Sequence, residues 1–269
     1  MLNDLNIIIL AGGQGKRMKS DLPKVLHKIN DVPMIVKIIQ TAQTLNPQKI
    51  LIVVGQYRDI IEATINRYIS EAISESSKCQ IEYVLQENAL GTGHAIQCCS
   101  DALFEMELDL SIQQSLNTNV LILSGDVPLI SSQTLISIIE KMETEDYMAA
   151  IMTTHLENPY GYGRIISEND RFKSIVEEKE CNLEQRLINR CNAGIYVFDR
   201  KLLCRYVLDI TNNNSQKEYY LTDIFEIITK HEEISILLFD VPLEIQYEIM
   251  GVNTPEQLYD LSQKIIQGK

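Results

Sequence analysis

The segment that most constrains this chain lies near its start. Ile7 to Leu10 is a short apolar run that stops at Ala11-Gly12-Gly13-Gln14-Gly15. Such a run reads as a buried strand entering a tight turn. Three glycines in four positions let the backbone approach a ligand and aim its N–H groups at an anion. The pattern is not a dinucleotide fingerprint. With Gly13 and Gly15 as the first two glycines, the third falls on Met18. It is not a Walker A loop either, because Gly15-Lys16 is followed by Arg17. By itself the loop also fits a plain strand-to-helix turn.

Its neighbours favour a ligand. Lys16, Arg17, Lys19, Lys24 and Lys28 crowd into one stretch of a chain whose net charge is −13. A solvated basic face is the usual meaning of such a run. Here the cations directly follow an anion nest at the carboxyl end of the first strand, where open α/β sheets bind ligands. A triphosphate carries about four negative charges, and phosphoryl transfer depends on positioning and charge stabilisation.

Further along, apolar runs and helical periodicities alternate. Strands are expected at Ile50 to Val54, Ile81 to Leu85 and Asn119 to Leu123. Helices are expected from Pro33 onward and over Arg58 to Ile73. This alternation predicts an α/β chain with a mainly parallel sheet and helices on both faces. The second half is less regular. Met148 to Thr153, Ile165-Ile166, Phe172 to Val176 and Ile195 to Phe198 read as strands in mixed or antiparallel pairing. Helices are expected over Leu202 to Leu208 and Leu221 to Lys230. A last helix has Thr254 as N-cap, Pro255 at its first position and Gln257 at the capping-box position. The stretch from about Ser100 to Asn117 reads as a surface insertion. No linker or repeat divides the 269 residues, so one unit is expected.

Apolar residues make up 45% of the chain, enough to bury a core. The acidic balance disfavours nucleic acid and anionic membranes as partners. There is no long apolar run and no signal-peptide pattern, so a cytoplasmic protein is expected. Cys79, Cys98, Cys99, Cys181, Cys191 and Cys204 show no metal-ligand spacing and read as idle thiols in a reducing compartment.

The resemblance becomes specific at Ser20-Asp21-Leu22-Pro23-Lys24-Val25-Leu26-His27. Together with Leu10-Ala11-Gly12-Gly13-x-Gly15-x-Arg17-Met18, it resembles the start of bacterial-type N-acetylglucosamine-1-phosphate uridyltransferases. The likeness continues in family order. It takes in Gln86, Gly91-Thr92-Gly93-His94-Ala95, Gly125-Asp126-Val127-Pro128-Leu129 and Gly161-Tyr162-Gly163-Arg164-Ile165. It then passes through Val176-Glu177, Asn192-x-Gly194, Glu218-Tyr219-Tyr220-Leu221-Thr222-Asp223 and Gly251-Val252-Asn253.

The resemblance implies a Rossmann-like nucleotidyltransferase fold, with a nucleotide-binding half over about 1–130 and a sugar-binding half over about 131–269. It implies uridylyl transfer from UTP to N-acetylglucosamine 1-phosphate. A sister enzyme acting on glucose 1-phosphate and a non-catalytic sugar-nucleotide-binding subunit are the alternatives. Leu10, Ala11, Gly12, Gly13, Gly15 and Lys24 would hold the nucleotide, with Arg17 and Lys24 offsetting phosphate charge in catalysis. Gln86, with the backbone of Gly91 and Thr92, would read the uracil edge; alone, Gln86 reads as an ordinary strand-end residue. Asp126 and Asn253 would hold Mg²⁺, whereas an Asp at a strand end is by itself more often a turn residue or cap. Gly163, Glu177, Asn192, Tyr220 and Thr222 would select the sugar, although Tyr220 also fits a core or rim aromatic. His94 and His27 read as structural, since the chemistry needs no general base. A monomer or small homo-oligomer is expected.

Two positions depart from the family. Lys16 stands where many members have Thr, and Ser124 where some have Tyr. The bifunctional bacterial members continue into a left-handed β-helix of hexapeptide repeats carrying an acetyltransferase. No such repeat occurs here, so that activity is not expected.

Overall fold

The computed structural model describes residues 5–13, 15–72, 79–103 and 118–266. The chain begins with β1 (Leu5–Leu10), a short hairpin of β2 (Lys28–Ile29) and β3 (Val32–Pro33), and α1 (Met34–Thr44). Next come β4 (Lys49–Val54), α2 (Arg58–Ala72), β5 (Gln80–Leu85), α3 (Thr92–Gln97) and β6 (Asn119–Ser124). The second half carries α4 (Ser132–Thr144), β7 (Ala149–His155), β8 (Arg164–Glu168), β9 (Arg171–Val176) and β10 (Arg190–Asp199). It closes with α5 (Arg200–Tyr206), α6 (Asp223–His231), β11 (Leu237–Asp240) and α7 (Pro255–Ile266).

The main sheet runs β11-β7-β10-β6-β1-β4-β5, with β8 and β9 attached through β10. β1 pairs in parallel with β4 and β6, and β4 with β5, so these four strands of the main sheet are parallel. β10 runs antiparallel to both β6 and β7, which makes the whole sheet mixed. The period-2 alternation of each central strand builds two separate layers. Ile7, Ile9, Ile50, Ile52, Leu121 and Leu123 pack with α1, α2 and α4 on one face. Ile8, Leu51, Val53, Val120 and Ile122 pack with α3, α5 and α6 on the other. Strands covered on both faces explain why these segments are continuously apolar.

Several elements differ from expectation. β10 is ten residues long, not the four of Ile195 to Phe198. Its polar start is paired to β7 across a bulge between Asn192 and Tyr196. The helix expected from Leu221 starts at Asp223; Thr222 stands at its N-cap position without a side-chain cap, its hydroxyl donating to Glu177 instead. Residues 132–144, left without an element above, form α4, whose N-cap Ser131 accepts from Thr134 N at 3.2 Å. β11 is likewise new, and lies parallel to β7 at the sheet edge. The expected surface insertion lies outside the described residues from 104 onward. Its first four residues, 100–103, are helical, with Ser100, Ala102 and Leu103 buried and Asp101 exposed, so this part is not a surface insertion. Among the described residues no helix is long and apolar enough to cross a membrane.

Candidate active site

Parallel pairing puts the carboxyl ends of β1, β4, β5 and β6 at one edge of the sheet, where the chain must leave each strand. Backbone bonds continue past the strand ends. Ala11 N donates to Val53 O at 2.8 Å, Gly125 N to Leu10 O at 2.9 Å, and Gln86 N to Val54 O at 2.8 Å. The loops held this way surround a cleft of about 610 Å³. Leu10, Ala11, Gly12 and Gly13 line it, as do Lys24, Gln86, Gly91, Thr92, Asp126, Glu177 and Tyr220. Eleven of the residues singled out above therefore share one cavity. Lys16 and Ser124, the two departures, line it too.

Gly15, Arg17, Gly163, Asn192, Thr222 and Asn253, the other expected residues, are not among those lining it. Gly15 has φ +62°, and a Cβ there would come within 2.6 Å of Lys24 Cβ. A glycine at this point lets the loop close against the Lys24 segment. The Lys24 ammonium forms an ion pair with Asp126 Oδ2 and donates to Asn253 Oδ1 at 3.2 Å. Arg17 Nη2 donates to the same Asn253 oxygen at 2.8 Å. The other Asp126 oxygen accepts from Ser124 Oγ at 2.7 Å. Asp126 follows the central strand β6 and Asn253 precedes α7, and Val252 N donating to Asp126 O at 2.8 Å ties the two loops. Asn253 is fixed from its other side, where Gln257 Oε1 at the start of α7 accepts from Asn253 N at 2.7 Å.

Glu177, just after β9, and Tyr220, in the turn before α6, also line the cleft. Thr222 Oγ1 donates to Glu177 Oε1 at 3.0 Å. Burial pushes the Glu177 carboxyl above its usual range; the Thr222 bond opposes this and Glu218 adds to it. Next to it, burial and then Glu177 raise Asp223 to about 6. Asn192 sits at the β10 bulge, where a strand re-aims its side chains. Its Nδ2 donates to Tyr196 Oη at 2.7 Å, and its Oδ1 accepts from Gly194 N at 3.0 Å. Asn192 N donates to Gly163 O at 2.9 Å. The Gly163 loop is anchored by Arg164, 1% exposed, whose Nη2 meets Glu178 Oε2 at 2.7 Å. Gly161 N donates to the same carboxylate at 3.1 Å.

The sequence reading missed two participants. Glu218 lines the cleft, although only its motif neighbours Tyr220 and Thr222 had been assigned roles. His94 touches Gln86, its Nδ1 lying 3.1 Å from Gln86 Nε2. His94 falls within the Gly91-Thr92-Gly93-His94-Ala95 motif, so position was the signal; the ring chemistry was judged idle. Among the described residues no cysteine is in a disulfide. Burial raises the Cys98 and Cys181 thiols, which keeps them from acting as nucleophiles.

A family model described as nucleotidyl transferase matches residues 6–240. A protein of Acanthamoeba polyphaga mimivirus, named a probable UDP-N-acetylglucosamine pyrophosphorylase, is 43% identical over 256 residues, covering 94% of this chain and 93% of its own. Bifunctional protein GlmU of Clostridium acetobutylicum is 39% identical over 262 residues, covering 97% of this chain and 52% of its own. The chain thus spans about half the length of that bifunctional relative. Among solved structures, a UDP-glucose pyrophosphorylase complexed with UDP-glucose shares the fold. Its TM-score is 0.71 over 99% of this chain and 100% of that one, at 18% identity. The family match over most of the chain and the mimivirus relative over nearly its full length agree: this chain belongs to the nucleotidyl transferase family.

Proposed function

We propose that the chain transfers uridylyl from UTP to N-acetylglucosamine 1-phosphate, giving UDP-N-acetylglucosamine and pyrophosphate. The observation that carries this reading is the layout of the cleft. Its wall carries the amide and backbone groups of Gln86, Gly91 and Thr92, the polar side chains of Glu177 and Tyr220, and the charged pair Lys24 and Asp126. A base, a row of phosphates and a hydroxyl-rich sugar demand those three kinds of partner. The name of the mimivirus relative supports the choice of sugar.

The residues present fit Mg²⁺. Asp126 Oδ2 and Asn253 Oδ1 already converge on a single cationic group, the Lys24 ammonium. Two oxygen donors, one of them a carboxylate, suit a hard ion that keeps most of its other positions for water and phosphate. Bound there, Mg²⁺ would neutralise charge on the reacting phosphates. In the displacement itself, a phosphate oxygen of the sugar attacks the α-phosphorus of UTP and pyrophosphate leaves. Lys24 and Arg17 offset the charge that shifts onto the leaving group, and the loop backbone at Ala11 to Gly13 holds the triphosphate. Glu177, Asn192, Thr222 and the backbone of Gly163 orient the sugar so that its phosphate arrives in line. No general base is required, because the attacking phosphate is already ionised at neutral pH. Unpaired cysteines fit a reducing setting, and we place the reaction in the cytoplasm.

Pyrophosphate release with UTP and Mg²⁺ tests this directly, with N-acetylglucosamine 1-phosphate and glucose 1-phosphate supplied separately. Turnover with the N-acetylated sugar is expected. Turnover only with glucose 1-phosphate would overturn the sugar assignment, and turnover with neither would overturn the reaction.

A further inference from the structure

Gln86 is 5% exposed, yet its side chain reaches the cleft wall. Its Nε2 lies 3.0 Å from Gly91 O and 3.1 Å from His94 Nδ1. A backbone carbonyl can only accept, so the atom facing Gly91 is the amide nitrogen. One amide hydrogen goes to Gly91 and the other to His94. His94 Nδ1 is then an acceptor, and the ring proton resides on Nε2. The remaining atom, Gln86 Oε1, lies against the glycine loop, where a Cβ on Gly12 would come within 2.9 Å of it. Gly12, Gln86 and Gly91 all line the cleft. The His94 ring is itself placed by Tyr219, whose ring centroid is 6.0 Å away. Cys98 Sγ stands 3.9 Å from both ring nitrogens and is only a weak donor.

We propose that His94 is a positioning residue that sets base selectivity. By accepting from Gln86 it commits both amide hydrogens, so the Gln86 side chain offers the base only an acceptor. An acceptor pairs with the imide N–H of a uracil-type base. It meets a lone pair on the corresponding ring nitrogen of a cytosine-type base, which leaves two buried acceptors facing each other. The inference rests on the uridylyl reading and adds the residue that enforces it.

The test is equilibrium binding of UTP and of CTP to the full chain, measured by titration calorimetry beside pyrophosphate release. Wild type is expected to prefer UTP. His94→Ala removes one acceptor and frees the amide to rotate, so the UTP:CTP affinity ratio should fall about tenfold, the equivalent of one hydrogen bond. His94→Asn, which keeps an acceptor at the Nδ1 position, should hold the ratio within about twofold of wild type. A histidine that merely supports the fold would weaken both nucleotides together and leave the ratio unchanged, which overturns the proposal; so does a wild type without preference for UTP. Nitrogen NMR of the wild-type ring is a check that needs no variant: a proton found on Nδ1 of neutral His94 overturns the proposal as well. If UTP is bound selectively but transferred to no sugar phosphate, the reaction assignment fails while the His94 ratio still decides this inference.

Discussion

The ammonium of Lys24 is paired with the carboxylate of Asp126, the two side chains being 15% and 14% exposed. A lysine thus lies where the proposed metal site and the proposed phosphate site meet. Substrate and metal each need one member of that pair. Lys24→Met should therefore let the free protein take up Mn²⁺ more tightly, by about tenfold, because a positive charge has left the neighbourhood of the site. Metal binding to the nucleotide-free chain, read by electron paramagnetic resonance, checks this; unchanged affinity would remove the competition.

The same variant should be a poor catalyst. Loss of a cation aimed at the leaving phosphates costs about a hundredfold or more in kcat. Asp126→Ala should lower activity similarly, with the deficit partly recovered at high Mg²⁺. Steady-state kinetics across a magnesium series separates the two variants, since Lys24→Met should not be recovered that way.

Gly91 has φ +115°, and a Cβ there would lie 2.5 Å from Tyr219 O. The segment is knotted to its neighbour by Gly93 N donating to Tyr219 O and Tyr219 N donating to Leu90 O, both at 2.7 Å. Gly91→Ala should cost about 3 kcal/mol through backbone strain and overpacking. A urea melt measures the loss, and the KM for UTP should rise because the displaced segment borders the base site.

Asp223 gives the fold a pH dependence whose sign follows from its raised value. The native carboxyl binds its proton more tightly than the unfolded one, so its contribution to stability is full below its ordinary 3.8 and lost as pH rises through about 6. Asp223→Asn should therefore gain stability relative to wild type across that window and keep the gain at neutral pH. Thermal melts of both proteins at pH 4 to 8 test this, and parallel curves would refute it.

Glu248, buried, accepts from Ser131 N at 3.1 Å and from Thr134 Oγ1 at 2.6 Å, fastening the segment before Asn253 to the start of α4. Glu248→Ala should lower stability by about 2 kcal/mol, leaving an N–H and a hydroxyl without their partner. Glu248→Gln should lose less, because it retains an acceptor. Chemical denaturation distinguishes them.

How far this could be read in the chain depended on distance along it. The capping box at the last helix was legible in full: Gln257 N donates to Thr254 Oγ1 at 3.3 Å, and Thr254 N to Gln257 Oε1 at 3.2 Å. Both partners lie within one turn, so local rules suffice. The parallel strands β1, β4, β5 and β6 were legible for a similar reason, since strands covered on both faces leave uninterrupted apolar runs. β10 was read short because its continuous apolar run begins only at Ile195; Arg190, Cys191 and Asn192 alternate in burial and become strand by pairing with His155, Thr154 and Thr153 of β7. α4 carried a readable signal in Leu135, Ile138, Ile139 and Met142 that was passed over. The Glu248 cap had none, since its carboxylate and the Ser131 amide are 117 positions apart. Asp126 and Asn253 were named through family resemblance; periodicity alone offers no reason to pair them.

The tie between these last two residues has a consequence for how the molecule comes into being. Asp126 leaves the ribosome more than a hundred residues before Asn253, and Asn253 is held by Gln257 at the head of the final helix. The sheet and the glycine loop can assemble on the nascent chain while the proposed metal pair is still half synthesised. The proposed metal pair is then completed only after the sheet, and a protease that trimmed the helix holding Asn253 would remove it from an otherwise intact sheet.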